Sequence, residues 1–216
     1  MKFLQVLGWA TLAMALPSPA PLEDSVIAVE HLEKRATVTE TIVGILNNLN
    51  ATVTTDLAAA NSAAVAIQNA NSVQAIVSAT AILRSNYQAI IQAITDATAA
   101  ISDATGGGAG GIAALLVGLT QQEINQLTAA IQQIVALVTA IRASLTVTST
   151  LGAAVNAAAS SEIAALRTIL VPFLAPLAVL VQAIATASAT ASLTVTGLQA
   201  AFAGLVTITR QLIAGV

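Results

Sequence analysis

LTQQEINQLTAAIQQIVALVTAIRASL, residues 119–145, opens on a helix-start signature and continues as an amphipathic helix. Thr120 and Glu123 stand three apart, the spacing at which a hydroxyl and a carboxylate each satisfy an orphan amide of a first helical turn. Ile124, Leu127, Ile131, Ile134, Leu137 or Val138, Ile141 and Leu145 follow at intervals of three and four, which puts them on one face of a 3.6-residue repeat. Ala fills many of the remaining positions and has the highest helix propensity of any residue. This stretch sets the fold class, because similar stripes recur on both sides of it.

On the amino-terminal side, Val38, Ile42, Ile45, Leu49, Val53 and Leu57 form one stripe. Val73, Ile76, Val77, Ile82 or Leu83, Tyr87, Ile90, Ile94 and Ile101 form another, with Asn71 or Ser72 as its cap. On the carboxy-terminal side, helices are expected over roughly 150–170, 173–191 and 194–213, with Pro172 and Pro176 ending or kinking what crosses them. LTVTSTL (145–151) and SLTVTGL (192–198) alternate like strands, but two short strands make a poor sheet and both flanks are Ala-rich. They read as helix ends or interhelical turns. The run GGGAGG (106–111) is a loop; without the Lys-Ser/Thr ending or a preceding strand it is not a phosphate loop. The expected architecture is all-α, an antiparallel bundle of about five to six amphipathic, Ala-rich helices forming a single domain over 36–216.

The first 35 residues read differently. Met1-Lys2 precedes an apolar run from Phe3 to Ala15 that ends in the small-x-small triplet Ala13-Met14-Ala15, the pattern of a secretory signal peptide over 1–15. Residues 16–35 form a Pro-containing, acidic pro-segment ending in the dibasic pair Lys34 and Arg35, a processing site at the point where composition changes. Asn50-Ala51-Thr52 is a sequon, so Asn50 is a candidate glycan acceptor in a secreted chain.

Beyond Arg35 the chain has no His, Cys, Lys, Met or Trp. That removes the base of a Ser-His-acid site, the usual structural metal ligands and any disulfide. No enzyme activity, cofactor or metal is expected. Six carboxylates remain, and Glu40, Glu123 and Glu162 fall near expected helix starts, where a negative charge complements the helix dipole. Asp96 and Asp103 share a helical face without aromatic neighbours to grip a sugar. Arg84, Arg142, Arg167 and Arg210 fall one per helix as solubilising charges, with the alternative that one meets a fatty-acid carboxylate at a pocket mouth. There is no basic cluster for nucleic acid. Ile169–Ala185 is the most hydrophobic stretch but carries two prolines at the lower length limit for a span, which favours a helix central to the bundle. The residues proposed to line an apolar ligand pocket are Tyr87, Phe173, Leu174, Leu177, Ile184 and Phe202, positions that serve equally as core.

With its signal peptide, its pro-segment ending at Lys34-Arg35, its Cys-free Ala/Thr/Ser/Leu-rich helices and the central stretch 119–145, the chain resembles the fungal hydrophobic surface binding protein A family, which includes cell-wall galactomannoproteins of the antigenic mannoprotein type. The resemblance implies a secreted, extracellular or wall-located helical protein that adsorbs to hydrophobic surfaces. It also implies recruitment of a polymer-degrading hydrolase or, in some members, a fatty acid or other lipid held in the bundle. The alternative is a structural wall glycoprotein whose partners are polysaccharides and which takes no small-molecule ligand.

Overall fold

The structure is a computed structural model that describes residues 23–106 and 119–215. The signal peptide and the start of the pro-segment lie outside the described residues, as does the Gly-rich run beyond Gly106. Five helices make up the described chain: α1 (Glu23–Gln68), α2 (Val73–Ala104), α3 (Gln121–Ser149), α4 (Ala153–Ala191) and α5 (Thr196–Ile213). No strand occurs among the described residues, and LTVTSTL and SLTVTGL are helix ends and turns as expected.

The helix starts follow from local chemistry. Thr120 accepts from the Glu123 amide at 3.3 Å while Glu123 accepts from the Thr120 amide at 2.8 Å, completing the box that opens α3. Ser72, one of the two candidates, caps α2 by accepting from the Ala75 amide. Thr120→Ala is expected to cost about 1 kcal/mol, read as a fall in the urea midpoint at unchanged slope. An unchanged midpoint would show that the box does not hold α3.

Two expectations about helix ends change. α4 runs unbroken through Pro172 and Pro176. Pro172 is exposed and Pro176 only partly buried, while Leu170, Phe173, Leu177 and Leu180 keep a buried spacing of three and four across them. Packing on both sides of the break therefore holds the helix where the ladder loses donors. Glu40 and Glu162 are likewise not at helix starts, since α1 begins at Glu23 and α4 at Ala153. Of the three carboxylates expected there, Glu123 alone stands in a first helical turn. The backbone of α1 is also continuous through Lys34-Arg35, so a protease acting there would have to open that turn.

Consecutive helices alternate in direction, and several neighbours in space are parallel. α1 packs on α2 and α3, α2 on α4, and α5 on both α3 and α4, closing a ring in which α2 and α3 face each other across the core. Asn61 meets Ser144, and Glu40 to Asn47 face Gln126 to Gln133, so α1 and α3 run the same way. Arg84 and Gln88 reach Glu162, while Ile76 to Ala81 lie beside Ala154 to Ala158, which fixes α2 parallel to α4. Gly197 rests against Thr128, Gly204 against Val135 and Gln211 against Arg142, giving α3 and α5 one common register.

The bundle consequently has two distinct ends. At the cap end, Gln121 Nε2 donates to the Thr194 carbonyl and its Oε1 accepts from the Thr194 amide, joining the start of α3 to the α4–α5 turn. At the other, the turn end, the α1–α2 and α3–α4 connections lie side by side. Between them one apolar core runs the length of the molecule, with Tyr87 and Phe173 its largest buried side chains.

Candidate functional site: the uncharged turn end

Tyr87 marks the level at which the turn end begins. It is fully buried on α2, and its hydroxyl lies 2.6 Å from Thr148 Oγ1 and 3.2 Å from Ser144 Oγ on α3. Ser144 Oγ in turn donates to Asn61 Oδ1 on α1 at 2.7 Å. Three helices are thus tied by hydroxyl and amide groups inside an apolar core, and the phenol keeps a partner although it is out of water.

One turn from Tyr87, Arg84 donates through Nε and Nη2 to Glu162 Oε1 at 3.1 and 2.9 Å. Gln88 donates to the same oxygen and Ser161 to Oε2. Burial pushes the Glu162 carboxyl up, but the hydrogen bonds from Arg84, Ser161, its own backbone amide and Gln88 outweigh it and hold the group at about 2. Arg84 is therefore the partner of a buried charge, and its solubilising role is secondary.

Beyond this level the α1–α2 and α3–α4 segments carry no charged side chain: none occurs from Leu57 through Leu83 or from Ala143 through Ser161. The first two turns of α2 project there with little cover. Val73 is 78 % exposed and Val77 56 %, although the apolar spacing puts both on the buried stripe, which begins only at Ala79. Of the pair Ile82 and Leu83, Leu83 is the core residue and Ile82 faces water. A shallow groove between α2 and α4, lined by Ile76, Val77, Ala81, Ala154, Val155 and Ala158 with Thr80 and Arg84 at its inner end, continues the apolar surface.

Most of the exposed large hydrophobic residues among those described lie at this end. Val65 and Val147 are in the last turns of α1 and α3, Val73 and Val77 open α2, and Ile82 follows in its third turn. Ile213 ends α5 beside the Arg142–Gln211 contact, and Val171 lies about two and a half turns from Glu162 toward the cap end. Such clustering differs from the scatter of single apolar residues on an ordinary surface.

The six proposed pocket residues are distributed otherwise. Tyr87, Phe173, Leu177 and Ile184 are buried core, and Leu174 and Phe202 are half-buried against that core. None lines any of the three hollows described. Asp56 and Asp96 line a hollow of about 440 Å³ between α1 and α2, where two of the six carboxylates beyond Arg35 face common space. Among the described residues no group of three or more His, Cys, Asp or Glu comes together to hold a metal. Asn50 is half-buried on α1, with Ala51 and Thr52 exposed beside it. Both α3 and the segment Ala153–Ala189 of α4 are long and apolar enough to cross a membrane by length and composition. In the fold each presents a buried stripe to the bundle, and α4 carries Glu162 and Arg167 within it.

No family model, no curated protein and no solved structure matches the chain.

Proposed function

We propose that this is a secreted, non-enzymatic helical protein that binds hydrophobic surfaces or lipids, and that the turn end of the bundle is the part that binds. The observation that carries the reading is the gathering of exposed Val and Ile side chains at an end whose connecting segments bear no charge. Removing such area from water is worth about 25 cal/mol per Å², and the absence of charge there means no ion has to be desolvated on contact. Recruitment of a hydrolase to the coated surface is the extension that the family resemblance suggests.

Depletion of the purified protein by polystyrene beads or polyester film tests it. Val73→Asp combined with Val77→Asp places two charges at exposed helical positions and leaves the core untouched. Adsorption is expected to weaken by about 30-fold or more, from some 2 kcal/mol of lost apolar contact. Wild-type protein that stays in solution over the beads, or a double variant that adsorbs equally well with an unchanged helical spectrum, would refute the assignment. The structural wall-glycoprotein reading has one observation in its favour, the exposure of Ala51 and Thr52 beside Asn50. It requires mannosylated protein retained in the wall fraction.

A further inference from the structure

The charges of the bundle are unevenly placed along its axis. Glu123 caps α3 at the cap end, Glu40 faces Gln126 there, and Asp103 lies in the last turn of α2, which ends on the same side. Asp96 sits between that end and the middle, while Asp56, five residues from Asn61 on α1 and opposite Ala89, lies at the middle itself. The four arginines gather at the level of Asp56 and Glu162, so cations outnumber carboxylates there by four to two. Arg142 bonds Gln211, which sets Arg210 beside it; Arg84 lies one turn from Tyr87, itself bonded two residues past Arg142; and Arg167 lies about one and a half turns from Glu162. They form a belt about two turns deep contributed by α2, α3, α4 and α5. Glu162 neutralises Arg84, while no described carboxylate pairs with Arg142, Arg167 or Arg210.

Directly beyond the belt comes the uncharged, apolar tip. Val147 is five residues from Arg142 along α3, about 7.5 Å, and Val77 is two turns from Arg84 along α2, about 10 Å. Both match the depth, about 5–10 Å, to which an apolar face enters the boundary between headgroups and acyl chains. With the tip at that depth the arginines meet the headgroup layer, and the acidic cap end points into water.

From this ordering we propose that the occupant of the turn end is a lipid surface bearing anionic headgroups, contacted end-on, with the valines in the acyl region and Arg142 and Arg210 on the headgroup oxygens. The proposal rests on the turn-end reading above and adds a charge requirement that an uncharged polymer surface would not impose. It also runs against net charge. Residues 36–216 carry six carboxylates against four arginines, so a protein binding without a fixed orientation would be repelled by an anionic surface.

Flotation with vesicles of phosphatidylcholine alone, and of phosphatidylcholine mixed with phosphatidylglycerol, separates the cases. Wild-type protein is expected to bind the mixed vesicles more tightly, with the advantage shrinking as salt is raised. Arg142→Gln with Arg210→Gln should cost on the order of fivefold per arginine on the mixed vesicles. The same variant should leave adsorption to polystyrene unchanged, and Arg142→Lys with Arg210→Lys should restore vesicle binding. Equal wild-type binding to both vesicle types, or indifference of the Gln variant, overturns the anionic-lipid assignment. If polystyrene adsorption persists in that event, the hydrophobic-surface reading stands without it; if adsorption is absent too, both fall.

Discussion

Phe173→Ala is expected to destabilise the protein by about 3 to 5 kcal/mol, lowering the thermal midpoint by roughly 10–15 °C. Phe173 is 1 % exposed and one of three phenylalanines in a chain dominated by small side chains, so its neighbours have little volume with which to fill the space it leaves. Its place in α4 raises the cost. Pro172 and Pro176 cannot donate to the carbonyls of Thr168 and Pro172, and each missing bond weakens the helix at the turn where Phe173 sits. The helix crosses that region because Leu170, Phe173, Leu177 and Leu180 are all buried on one side of it. Removing the largest of the four takes away packing where the ladder is already thin. Phe202, half-buried on α5, offers the comparison: its truncation should cost about half as much or less. Urea unfolding followed by helical signal measures both. A loss below about 1.5 kcal/mol for Phe173→Ala would mean that α4 does not depend on this contact.

The same prolines show where the sequence stops being readable. The stripe from Ile124 to Leu145 predicts α3 and its buried face because large apolar residues alternate there with Gln, Asn and Thr. In α4 the polar contrast is missing, Ala occupies many of the other positions, and the prolines argue locally for a break. Only the partner helices decide that the helix continues. Ala gives no guidance on burial either: Ala60, Ala63 and Ala64 are buried at the end of α1, while Ala153, Ala154, Ala157 and Ala158 are exposed at the start of α4.

Val73 and Val77 escape the periodic reading for a related reason. Periodicity reports which residues share a face, and whether a neighbouring helix reaches that far depends on relative lengths that one segment does not contain. The six pocket candidates share size and apolarity, which core and ligand site demand alike. The arginine belt is legible in the sequence only as one arginine per helix; its common level requires the registers between α2 and α4 and between α3 and α5. Glu162 and Arg84 are 78 residues apart, with no local signal linking them.

Stability should depend on acid through that pair, and Glu162→Gln should remove the dependence. In the folded protein the Glu162 carboxyl is held at about 2 against an ordinary 4.5. A carboxyl with a depressed folded value protonates less readily folded than unfolded, so its contribution is complete above pH 4.5 and is lost as pH falls from there through about 2. At about 1.4 kcal/mol per tenfold, that difference corresponds to roughly 3 kcal/mol. Glu162 itself is 4 % exposed but the Arg84 side chain is 42 % exposed, so water screens the pair and about 2 kcal/mol is the better expectation. The amide introduced by Glu162→Gln would keep a carbonyl oxygen for Arg84 and Gln88 and leave Arg84 largely solvated, so the variant should lose stability near pH 7 and have no corresponding acid loss. Its deficit relative to wild type should therefore shrink by about 2 kcal/mol between about pH 7 and pH 2. Arg84→Ala separates the charge from the hydrogen bonds. With Gln88, Ser161 and the Glu162 backbone amide left to offset burial, the carboxyl should titrate at higher pH than in wild type, and the acid loss should begin earlier. Urea midpoints of the three proteins across that range decide the matter. Parallel curves for wild type and Glu162→Gln would show that the pair contributes packing and no charge-dependent stability.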